Sequence, residues 1–406
     1  MRIAGIVTEY NPLHNGHLYQ LAQIRQRLNP DLIVSVMSGD FTQRGEPAIV
    51  SKWDRARLAL EAGVDLVFEL PYVFAVGKAD TFARGAVALL DRVGATHLVF
   101  SSECGRIKPF FQTLDLIAQH RLLYQEKMTE ALSRGISYPN AHAVAFRTLA
   151  ASSTADLVDL SLPNNSLGYQ YVRAIGHRDS DMIPCTMRRK DAAHNDTVFA
   201  EGSEIASASS IRRCLMRPDG GVEKIGRVLP PSSLAVLRAA EERGVLTDWE
   251  TFFPYLKYRL LSTPQAELSQ VYEAEEGIEN RLLAKIARSD SFHSFISAVK
   301  TKRYTWARLQ RLCVHILTAT KKDEAKVIAL TEEPDYLRLL GMSRAGRHYL
   351  ALIRKRLDIP LITKIRRHRE TMLELDSRAG MIYDFLSGNA RTGLNEIGHP
   401  PVQLEN

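Results

Sequence analysis

Cysteine is scarce in this chain of 406 residues, and long apolar runs are missing. The four cysteines, Cys104, Cys185, Cys214 and Cys313, form no C-x-x-C pair and no cluster with histidine at metal-ligand spacing, so neither a disulfide framework nor a structural zinc site is predicted. There is no run of about 18 apolar residues, so no membrane span is predicted. The apolar N-terminal stretch is too short, and too polar at its end, for a signal peptide. These absences favour a protein of the reducing cytoplasm with no membrane partner.

Positive charge is unevenly distributed along the chain. The formal net charge is +7, and the range 300–370 alone contains 18 Lys and Arg against 7 Asp and Glu, a local balance of +11. A basic C-terminal part beside a near-neutral remainder indicates a polyanionic partner such as RNA. A solvated helical surface is the alternative interpretation.

Strand-like and helix-like patterns alternate in the N-terminal part. The apolar ranges 2–8, 31–37, 64–70 and 96–100 predict strands. Helical spacing predicts helices from Leu18 onward, over 54–62 with Asp54 at its start, and over 80–93. This order predicts an α/β fold, Rossmann-like, with a parallel sheet and helices on both faces. In such sheets, ligands bind at the carboxyl ends of the strands, near the switch in strand order.

The pattern changes near residue 220, where the sequence reads Arg-Pro-Asp-Gly-Gly. Beyond it, helical spacing predicts helices over 232–243, 265–286, 291–300, 304–318 and 337–357. We therefore predict two domains: an α/β domain over residues 1–220, and a mainly α-helical, basic domain over residues 221–406.

The segment His14-Asn-Gly-His17 follows the first predicted strand and a Tyr-Asn-Pro turn. Two imidazoles three residues apart at a helix start lie on one face, and both can donate to phosphate oxygens beside the positive end of the helix dipole and its free N–H groups. Gly16 lets a nucleotide approach the backbone closely. No other nearby His or Cys completes a metal site, so the predicted ligand is a nucleoside triphosphate. The alternative is that both histidines only cap the helix.

Polar residues also follow the next predicted strands. The loop 37–47 contains Gln43 and Arg44, which we predict to reach a ligand, and a plain surface loop is the alternative. Lys52 and Arg55 either neutralise phosphate charge or lie in a solvated helical turn. At the end of the strand over 96–100, Ser101 leaves room for a purine or ribose, and Glu103 either holds a magnesium-bound water or faces solvent.

Three more segments carry candidate ligands. Of the adjacent amides Asn164 and Asn165, one either contacts a ligand or caps the following helix. Arg189, after the strand-like range 182–187, is placed to stabilise a leaving pyrophosphate. The segment 207–212, Ser-Ala-Ser-Ser-Ile-Arg, leads into a helix, with Ser209 and Arg212 positioned to cradle phosphates. The alternative for this segment is a serine N-cap with an exposed arginine.

A strand followed by H-x-G-H, with a late S-x-S-S-I-R loop before a helix, resembles the nucleotidyltransferase superfamily that shares its fold with class I aminoacyl-tRNA synthetases. Longer motifs narrow the resemblance: E-Y-N-P-L-H-N-G-H, M-S-G-D-F-T-Q-R-G-E-P-A, E-L-P-Y, P-N-N-S-L-G-Y-Q-Y, S-A-S-S-I-R and K-R-Y-T-W-A-R-L-Q-R. Taken together, these motifs resemble the bacterial tRNA(Met) cytidine acetate ligase family over nearly the whole chain.

The resemblance implies an ATP-dependent ligase that activates acetate as acetyl-adenylate. The acetyl group then passes to N4 of the wobble cytidine of elongator tRNA(Met), giving N4-acetylcytidine. Mg²⁺ is expected to accompany ATP, and His14 and His17 are the expected catalytic residues. Where the family has glycine, Ser101 adds a small side chain beside the nucleotide. The ATP-binding residues implied by the motifs are Val7, Thr8, Glu9, Tyr10, Asn11, Pro12, Leu13, His14, Asn15, Gly16, His17, Leu18, Tyr19, Gln20, Ser101, Asn165 and Arg189.

The basic C-terminal part is the predicted tRNA-binding region. The predicted contacts are the cations Lys302, Arg303, Arg308, Arg311, Arg344 and Arg347, with Tyr304 and Trp306 as stacking surfaces. For part of these cations, a solvated helix face is the alternative. Two other functions remain open from sequence: a metabolite adenylyltransferase of the same superfamily, and a nucleotide-gated RNA-binding protein without catalysis.

Overall fold

A twisted sheet flanked by helices forms the centre of the protein. The computed structural model describes residues 1–189, 204–331, 333–365, 371–388 and 396–404. Within these residues, the strands are β1 (Ile3–Thr8), β2 (Leu32–Ser38), β3 (Leu66–Leu70), β4 (His97–Ser102), β5 (Ile183–Arg188), β6 (Leu337–Met342), β7 (Leu361–Ile362) and β8 (Val402–Gln403). Their order is β5-β4-β1-β2-β3-β6-β7, with β8 paired to β6.

Helices make up most of the remaining described structure. They are α1 (Asn15–Leu28), α2 (Lys52–Glu61), α3 (Tyr72–Ala75), α4 (Ala79–Arg92), α5 (Lys108–Gln119), α6 (Arg121–Ser133), α7 (Tyr138–Ala150), α8 (Pro163–His177), α9 (Ala208–Leu215), α10 (Pro231–Glu242), α11 (Trp249–Ser262), α12 (Gln265–Leu268), α13 (Ile278–Ile286), α14 (Phe292–Val299), α15 (Trp306–Leu317), α16 (Lys322–Thr331), α17 (Arg344–Ile353) and α18 (Thr371–Ser387), with a 3-10 helix over Val222–Val228. Across the described ranges, no helix is long and apolar enough to cross a membrane.

The sheet is buried on both faces, which confirms the predicted α/β fold. Leu32 and Val34 of β2 belong to the core that includes α4 and α8, whereas Ile33 and Met37 pack on the other face with Leu21 of α1. Alternate side chains of a strand point to opposite faces, so a strand between two helical layers is apolar throughout.

The order of the parallel strands reverses at β1. Strands β4 and β5 lie on one side of β1, and β2 and β3 lie on the other. All of these neighbours are parallel, so their carboxyl ends share one edge of the sheet. In doubly wound folds the ligand crevice lies at this switch point, and here the loop after β1 contains the H-x-G-H segment.

The helix predicted over 337–357 is wrong in its first part. Residues Leu337–Met342 form β6, antiparallel to β3, and the helix α17 begins only after the N-cap Ser343. A short apolar run fits a buried strand as well as a buried helix, so periodicity alone did not separate them. The division of the chain near residue 220 stays a prediction, and strands from both sides of it share this sheet.

Two other predicted helix boundaries are corrected. The range 265–286 contains two helices, α12 and α13, because the intervening residues include left-handed backbone at Glu273, Glu276 and Gly277. Helix α2 begins at Lys52 rather than Asp54, because the Ser51 side chain caps it by accepting from the Asp54 N–H.

Candidate active site

Helix α1 begins with two histidines that cap it. The Gly16 N–H donates to His14 Nδ1 at 3.1 Å, and the His14 N–H donates to His17 Nδ1 at 3.2 Å. The two rings stack, with their centroids 3.8 Å apart, and Tyr10 lies edge-on to His17. Capping, one of the two roles considered for these histidines, is therefore present, but it uses only Nδ1 of each ring. It also occupies the Gly16 N–H, which is therefore not a free donor to a phosphate.

Both imidazoles are neutral and carry their proton on Nε2. A neutral ring whose Nδ1 accepts a hydrogen bond must be protonated at Nε2. Burial, followed by the charges of Arg189 and Arg212, lowers the pKa of His14 to about 3. Burial, followed by His14 and Arg189, lowers the pKa of His17 well below its ordinary value. Neither Nε2 has a hydrogen-bond partner among the described residues, so both remain available as donors to a phosphate.

Gly16 is required by the His14 ring. A Cβ at position 16 would lie 2.9 Å from His14 Cε1 and 3.0 Å from its Nδ1. Any side chain there would displace the ring and break the cap that fixes its orientation. The group that approaches Gly16 closely in this structure is therefore the His14 ring.

The serine-rich segment lies beside the start of α1. The Asn15 side chain donates to the Glu204 and Arg227 carbonyls at 2.9 and 3.0 Å, which holds the segment leading to α9 against α1. Ser207 is the N-cap of α9, accepting from the Ser210 N–H, and Ser209 is exposed. The serine N-cap considered as an alternative is therefore present.

Arg212 is held rather than freely exposed. Its Nη1 donates to the Asn11 carbonyl at 2.7 Å, and its Nη2 pairs with Glu46. The side chain is 20% exposed. These contacts fix a guanidinium close to His14, whose pKa it lowers.

Glu103 caps α8 instead of facing solvent or a metal-bound water, so both sequence-based expectations for it are wrong. Its Oε1 accepts from the Asn164 N–H and Nδ2 at 3.1 and 2.7 Å, and its Oε2 accepts from the Asn165 N–H at 2.7 Å. A carboxylate at a helix N-terminus satisfies unpaired amides and complements the dipole. Asn164 Oδ1 in turn accepts from Arg189 Nη1 at 3.2 Å, which positions that guanidinium.

Asn165 and Ser101 lie at the same strand ends. The buried Asn165 side chain accepts from the Cys104 N–H at 3.0 Å and donates to the Asp159 carbonyl at 3.1 Å. It therefore shapes the loop after β4. Ser101 is partly exposed near the end of β4, opposite Met187 of β5. The structure thus brings Ser101, His14, His17 and Arg189 to one edge of the sheet.

The loop after β2 lies across the switch point from these groups. Gln43 Nε2 donates to the Gly77 carbonyl at 2.8 Å, so its amide holds two loops together rather than standing free. The Gln43 N–H donates to Glu9 Oε1 at 2.7 Å, and Arg44 is exposed. Glu9 is thus the point at which the loops after β1 and β2 meet.

The predictions for Lys52 and Arg55 are wrong, because both side chains are fully buried behind the site. Lys52 Nζ lies 2.8 Å from Glu69 Oε1 and 2.7 Å from Glu396 Oε1. Arg55 donates to main-chain carbonyls, including Glu9 O at 2.8 Å. These residues tie the loops of the site to the core, and neither is available to a phosphate.

Sequence reasoning missed the partners in this buried network. Asp40, Glu69 and Glu396 face Lys52, and Arg338 pairs with both glutamates. A local signal did exist, since Glu69 and Arg338 each stand inside a short apolar strand. Charges in such strands are buried only when they are paired.

The predicted RNA contacts separate into two groups. Helix α15 packs at the edge of the sheet that holds the site. Its residue His315 contacts Tyr72, which directly follows β3, and the Tyr72 hydroxyl lies 2.7 Å from His315 Nδ1. Helix α17 lies at the opposite edge, because Ser343 bonds to Asp65 just before β3. Arg344 and Arg347 are exposed there, a strand length away from the carboxyl ends.

Two of the predicted contacts near α15 are wrong. Arg311 is 7% exposed and pairs with the buried Glu273, and Tyr304 is 8% exposed. Arg303 and Arg308 are more accessible, although they pair with Glu276 and Glu275. Exposed Lys302 and partly exposed Trp306 lie beside them.

Taken together, the doubly wound sheet and the histidine-capped helix at its switch point define a nucleotide-binding protein of the H-x-G-H type. A family model described as HIGH Nucleotidyl Transferase matches residues 1–396. This match agrees with the fold and the site.

Relatives of known name match over almost the whole chain. The tRNA(Met) cytidine acetate ligase of Bacillus subtilis (strain 168) is 44% identical, with 100% of this chain and 98% of the relative covered. The protein of the same name from Geobacillus sp. (strain WCH70) is 42% identical, with 99% and 100% covered. The apo crystal structure of Thermotoga maritima TmcAL is 31% identical, with a TM-score of 0.90 and both chains fully covered. The chain therefore belongs to the HIGH nucleotidyl transferase family and, within it, to the tRNA(Met) cytidine acetate ligases.

Proposed function

We propose that this protein uses ATP to activate acetate as acetyl-adenylate, and then acetylates N4 of the wobble cytidine of elongator tRNA(Met). The observation that carries the proposal is the 44% identity to a tRNA(Met) cytidine acetate ligase over the whole chain. It is supported by a Thermotoga maritima TmcAL structure bound with alpha-thio ATP, which is similar to this chain with a TM-score of 0.88 and 30% identity.

The ATP triphosphate is proposed to lie across the start of α1. The two Nε2–H groups of His14 and His17 donate to phosphate oxygens, as does the Ser209 hydroxyl, and Arg189 and Arg212 supply positive charge. An acetate oxygen attacks the α-phosphorus in line, and pyrophosphate leaves. In this step the chain supplies position and fixed donors rather than covalent chemistry.

The described residues around the site do not form a metal site of their own. Within the described parts of the chain, no group of three His, Cys, Asp or Glu is arranged to hold a metal ion. Both oxygens of Glu103, the carboxylate considered for magnesium, are occupied by α8. We therefore propose that the Mg²⁺ accompanying ATP is held by phosphate oxygens and water, as is usual for this ion.

The tRNA is proposed to approach from the side of α15. Helix α15 packs against the loop after β2: a Cβ on Gly45 would lie 2.3 Å from the Arg311 main-chain nitrogen. Lys302 lies just before the N-terminal end of α15, and Trp306 is its first residue. They offer a positive charge and an aromatic ring to a single-stranded anticodon loop. A wobble base turned out of that loop can then reach the carboxyl edge of the sheet.

Two measurements test the proposal. Labelled pyrophosphate should exchange into ATP only when acetate is present, and mass spectrometry should detect an acetyl group on tRNA(Met) after incubation with ATP and acetate. A metabolite adenylyltransferase or a non-catalytic RNA-binding protein would leave the tRNA unmodified. Exchange that does not depend on acetate would contradict the acetyl-adenylate intermediate.

The role of His17 is tested separately. Loss of one preorganised donor to a developing charge typically costs about 10²–10³ in kcat. We expect His17→Ala to slow acetate-dependent exchange by that factor. Full exchange activity in this variant would remove His17 from the proposed role.

A further inference from the structure

The second half of the proposed reaction needs a proton acceptor. When the cytidine N4 attacks the acetyl carbon of acetyl-adenylate, the amine must lose a proton as the bond from that carbon to the phosphate oxygen breaks. AMP leaves with the electron pair of that bond. The described residues at the carboxyl edge of the sheet offer few groups that can accept this proton.

The histidines are poor candidates. Each already uses Nδ1 as an acceptor of a main-chain hydrogen bond, and each presents only an Nε2–H donor. Protonation of either ring would have to displace a capping bond in a buried position. The same geometry that makes them phosphate donors excludes them as proton acceptors.

Most of the carboxylates near the switch point are already committed. Glu103 has both oxygens on the amides of α8. Glu46 pairs with Arg212. Asp40 accepts from the Lys52 N–H at 2.8 Å and lies within the buried network. None of these three can reach a substrate without breaking a contact that shapes the site.

Glu9 differs from these carboxylates. It directly follows β1, the strand at which the sheet order reverses. Its Oε1 accepts from the Gln43 N–H at 2.7 Å, and its Oε2 has no hydrogen-bond partner among the described residues. The side chain is partly exposed, and the Glu9 main-chain carbonyl is fixed by Arg55. One oxygen is therefore anchored by a main-chain donor, and the other is uncommitted among the described residues.

The position of Glu9 lies between the two halves of the site. The proposed ATP-binding groups lie on the β1-β4-β5 side, whereas Gln43 and Arg44 belong to the loop after β2 on the other side. The cytidine that receives the acetyl group has to meet the enzyme-bound acetyl-adenylate. We expect it to enter at the boundary between these two halves, because a ligand crevice forms at the switch point of the sheet.

We propose that Glu9 is the general base that takes the N4 proton of the cytidine during acetyl transfer. The N4 nitrogen forms a bond to the acetyl carbon, its proton moves to Glu9 Oε2, and the bond from the acetyl carbon to the AMP oxygen breaks. Glu9 then returns the proton to solvent. This inference rests on the proposed function and concerns the transfer step alone.

The surroundings of Glu9 raise its pKa above the ordinary value of a glutamate, mainly through burial. Burial raises the pKa of Glu9, whereas the Gln43 N–H and the charges of Arg212 and Arg44 lower it, and Glu46 raises it. Tyr171 of α8, whose pKa is raised mainly by burial, is the further titratable neighbour. A carboxylate with a raised pKa is a stronger base than an exposed one, and such groups contribute about 10²–10⁴ in rate.

The test separates the two half-reactions in Glu9→Gln. Glutamine keeps an oxygen for the Gln43 N–H, so we expect the thermal unfolding midpoint to stay near that of the wild type. Acetate-dependent pyrophosphate exchange reports any contribution of Glu9 to ATP binding, and it should fall by a much smaller factor than transfer. Transfer from chemically prepared acetyl-adenylate to tRNA(Met), measured without ATP, should slow by about 100-fold or more. Glu61→Gln, an exposed carboxylate at the end of α2, serves as the matched control.

The pH profile gives a second readout. Wild-type transfer should decline as the pH falls through the raised pKa of Glu9, and this decline should be missing in Glu9→Gln. Glu9→Asp keeps a carboxylate with a shorter side chain and should retain an intermediate rate with an acidic decline.

Three results would overturn the assignment: wild-type transfer rates in Glu9→Gln, an equal loss of exchange and transfer, or an unchanged acidic decline. Failure of the wild type itself to acetylate tRNA would contradict the proposed function instead.

Discussion

Replacement of Lys52 by methionine distinguishes a phosphate contact from a structural charge. In the structure its ammonium lies 2.8 Å from Glu69, 2.7 Å from Glu396 and 3.5 Å from Asp40, with 1% of the side chain exposed. Without it, three buried carboxylates face only the guanidiniums of Arg55 and Arg338, which leaves one negative charge uncompensated. Breaking a buried ion pair in this way costs about 3–5 kcal/mol of unfolding free energy.

The expected loss can be measured by thermal and denaturant unfolding. With an unfolding entropy of about 2.1 cal/mol/K per residue, a chain of this length should lose roughly 4–6 °C in Tm. Lys285→Met, an exposed lysine on α13, is the matched control and should change stability by less than about 0.5 kcal/mol. At temperatures where Lys52→Met is folded, its KM for ATP should match the wild type.

The stability difference should also shrink at low pH. Burial raises the pKa of Glu396, but the charges of Arg338 and Lys52 hold it below its usual range, so the wild type loses this contribution as the pH falls. In Lys52→Met the unpaired carboxylate has a raised pKa, and its protonation on acidification relieves the excess charge. The reasoning is refuted if the variant is as stable as the wild type, or if it loses ATP affinity while its stability is unchanged.

Three further predictions follow from the site and its surroundings. Gly16→Ala should weaken ATP binding at least tenfold in a direct binding assay, because its Cβ collides with the His14 ring. Gly176→Ala, in a helix with open space around it, should bind ATP normally. In NMR spectra of histidine-labelled protein, the His14 signal is identified by its absence from the His14→Asn variant. In the wild type this signal should not titrate between about pH 5 and 8, because the pKa of His14 is about 3. A neutral buried histidine also lowers stability as the pH falls below about 6.5, since the unfolded chain binds the proton first. Lys302→Gln should reduce the slope of log affinity for tRNA against log salt by about 0.7, the value for one contact to a single strand, whereas Arg347→Gln, at the opposite sheet edge, should leave the slope unchanged.

Local patterns were sufficient to predict the nucleotide-binding half of the sheet. Strands β1 to β4 and the helices α1, α2 and α4 follow from apolar runs, helical spacing and caps, all of which are encoded within a few neighbouring residues, whereas the short helix α3 was not predicted. The location of His14 and His17 at a strand end followed from the same information. Their tautomers did not, because these depend on which main-chain N–H each Nδ1 accepts.

The errors concern contacts between distant parts of the chain. Lys52 looked solvated or phosphate-bound, because its partners Glu69 and Glu396 are 17 and 344 positions away. Arg311 looked available to RNA, because nothing in its own helix shows that Glu273 lies beside it. A charge pattern describes a surface only after the fold has decided which charges are paired, and sequence spacing does not contain that pairing.

The buried charged residues behind the site hold the loops that surround the two neutral histidines. Arg55 fixes the carbonyls of Glu9, Ser38 and Gly39, so the loops after β1 and β2 are both fastened to one guanidinium. Hydrogen-bond donors on loops that are held in this way, such as the Nε2–H groups of the two histidines, need no rearrangement when charge develops on a phosphate. Because the histidines remain neutral, the positive field at the site comes from Arg189 and Arg212, both held by polar partners on neighbouring elements. The phosphate donors and the proposed base are therefore positioned by the same core, although they serve different steps of the reaction.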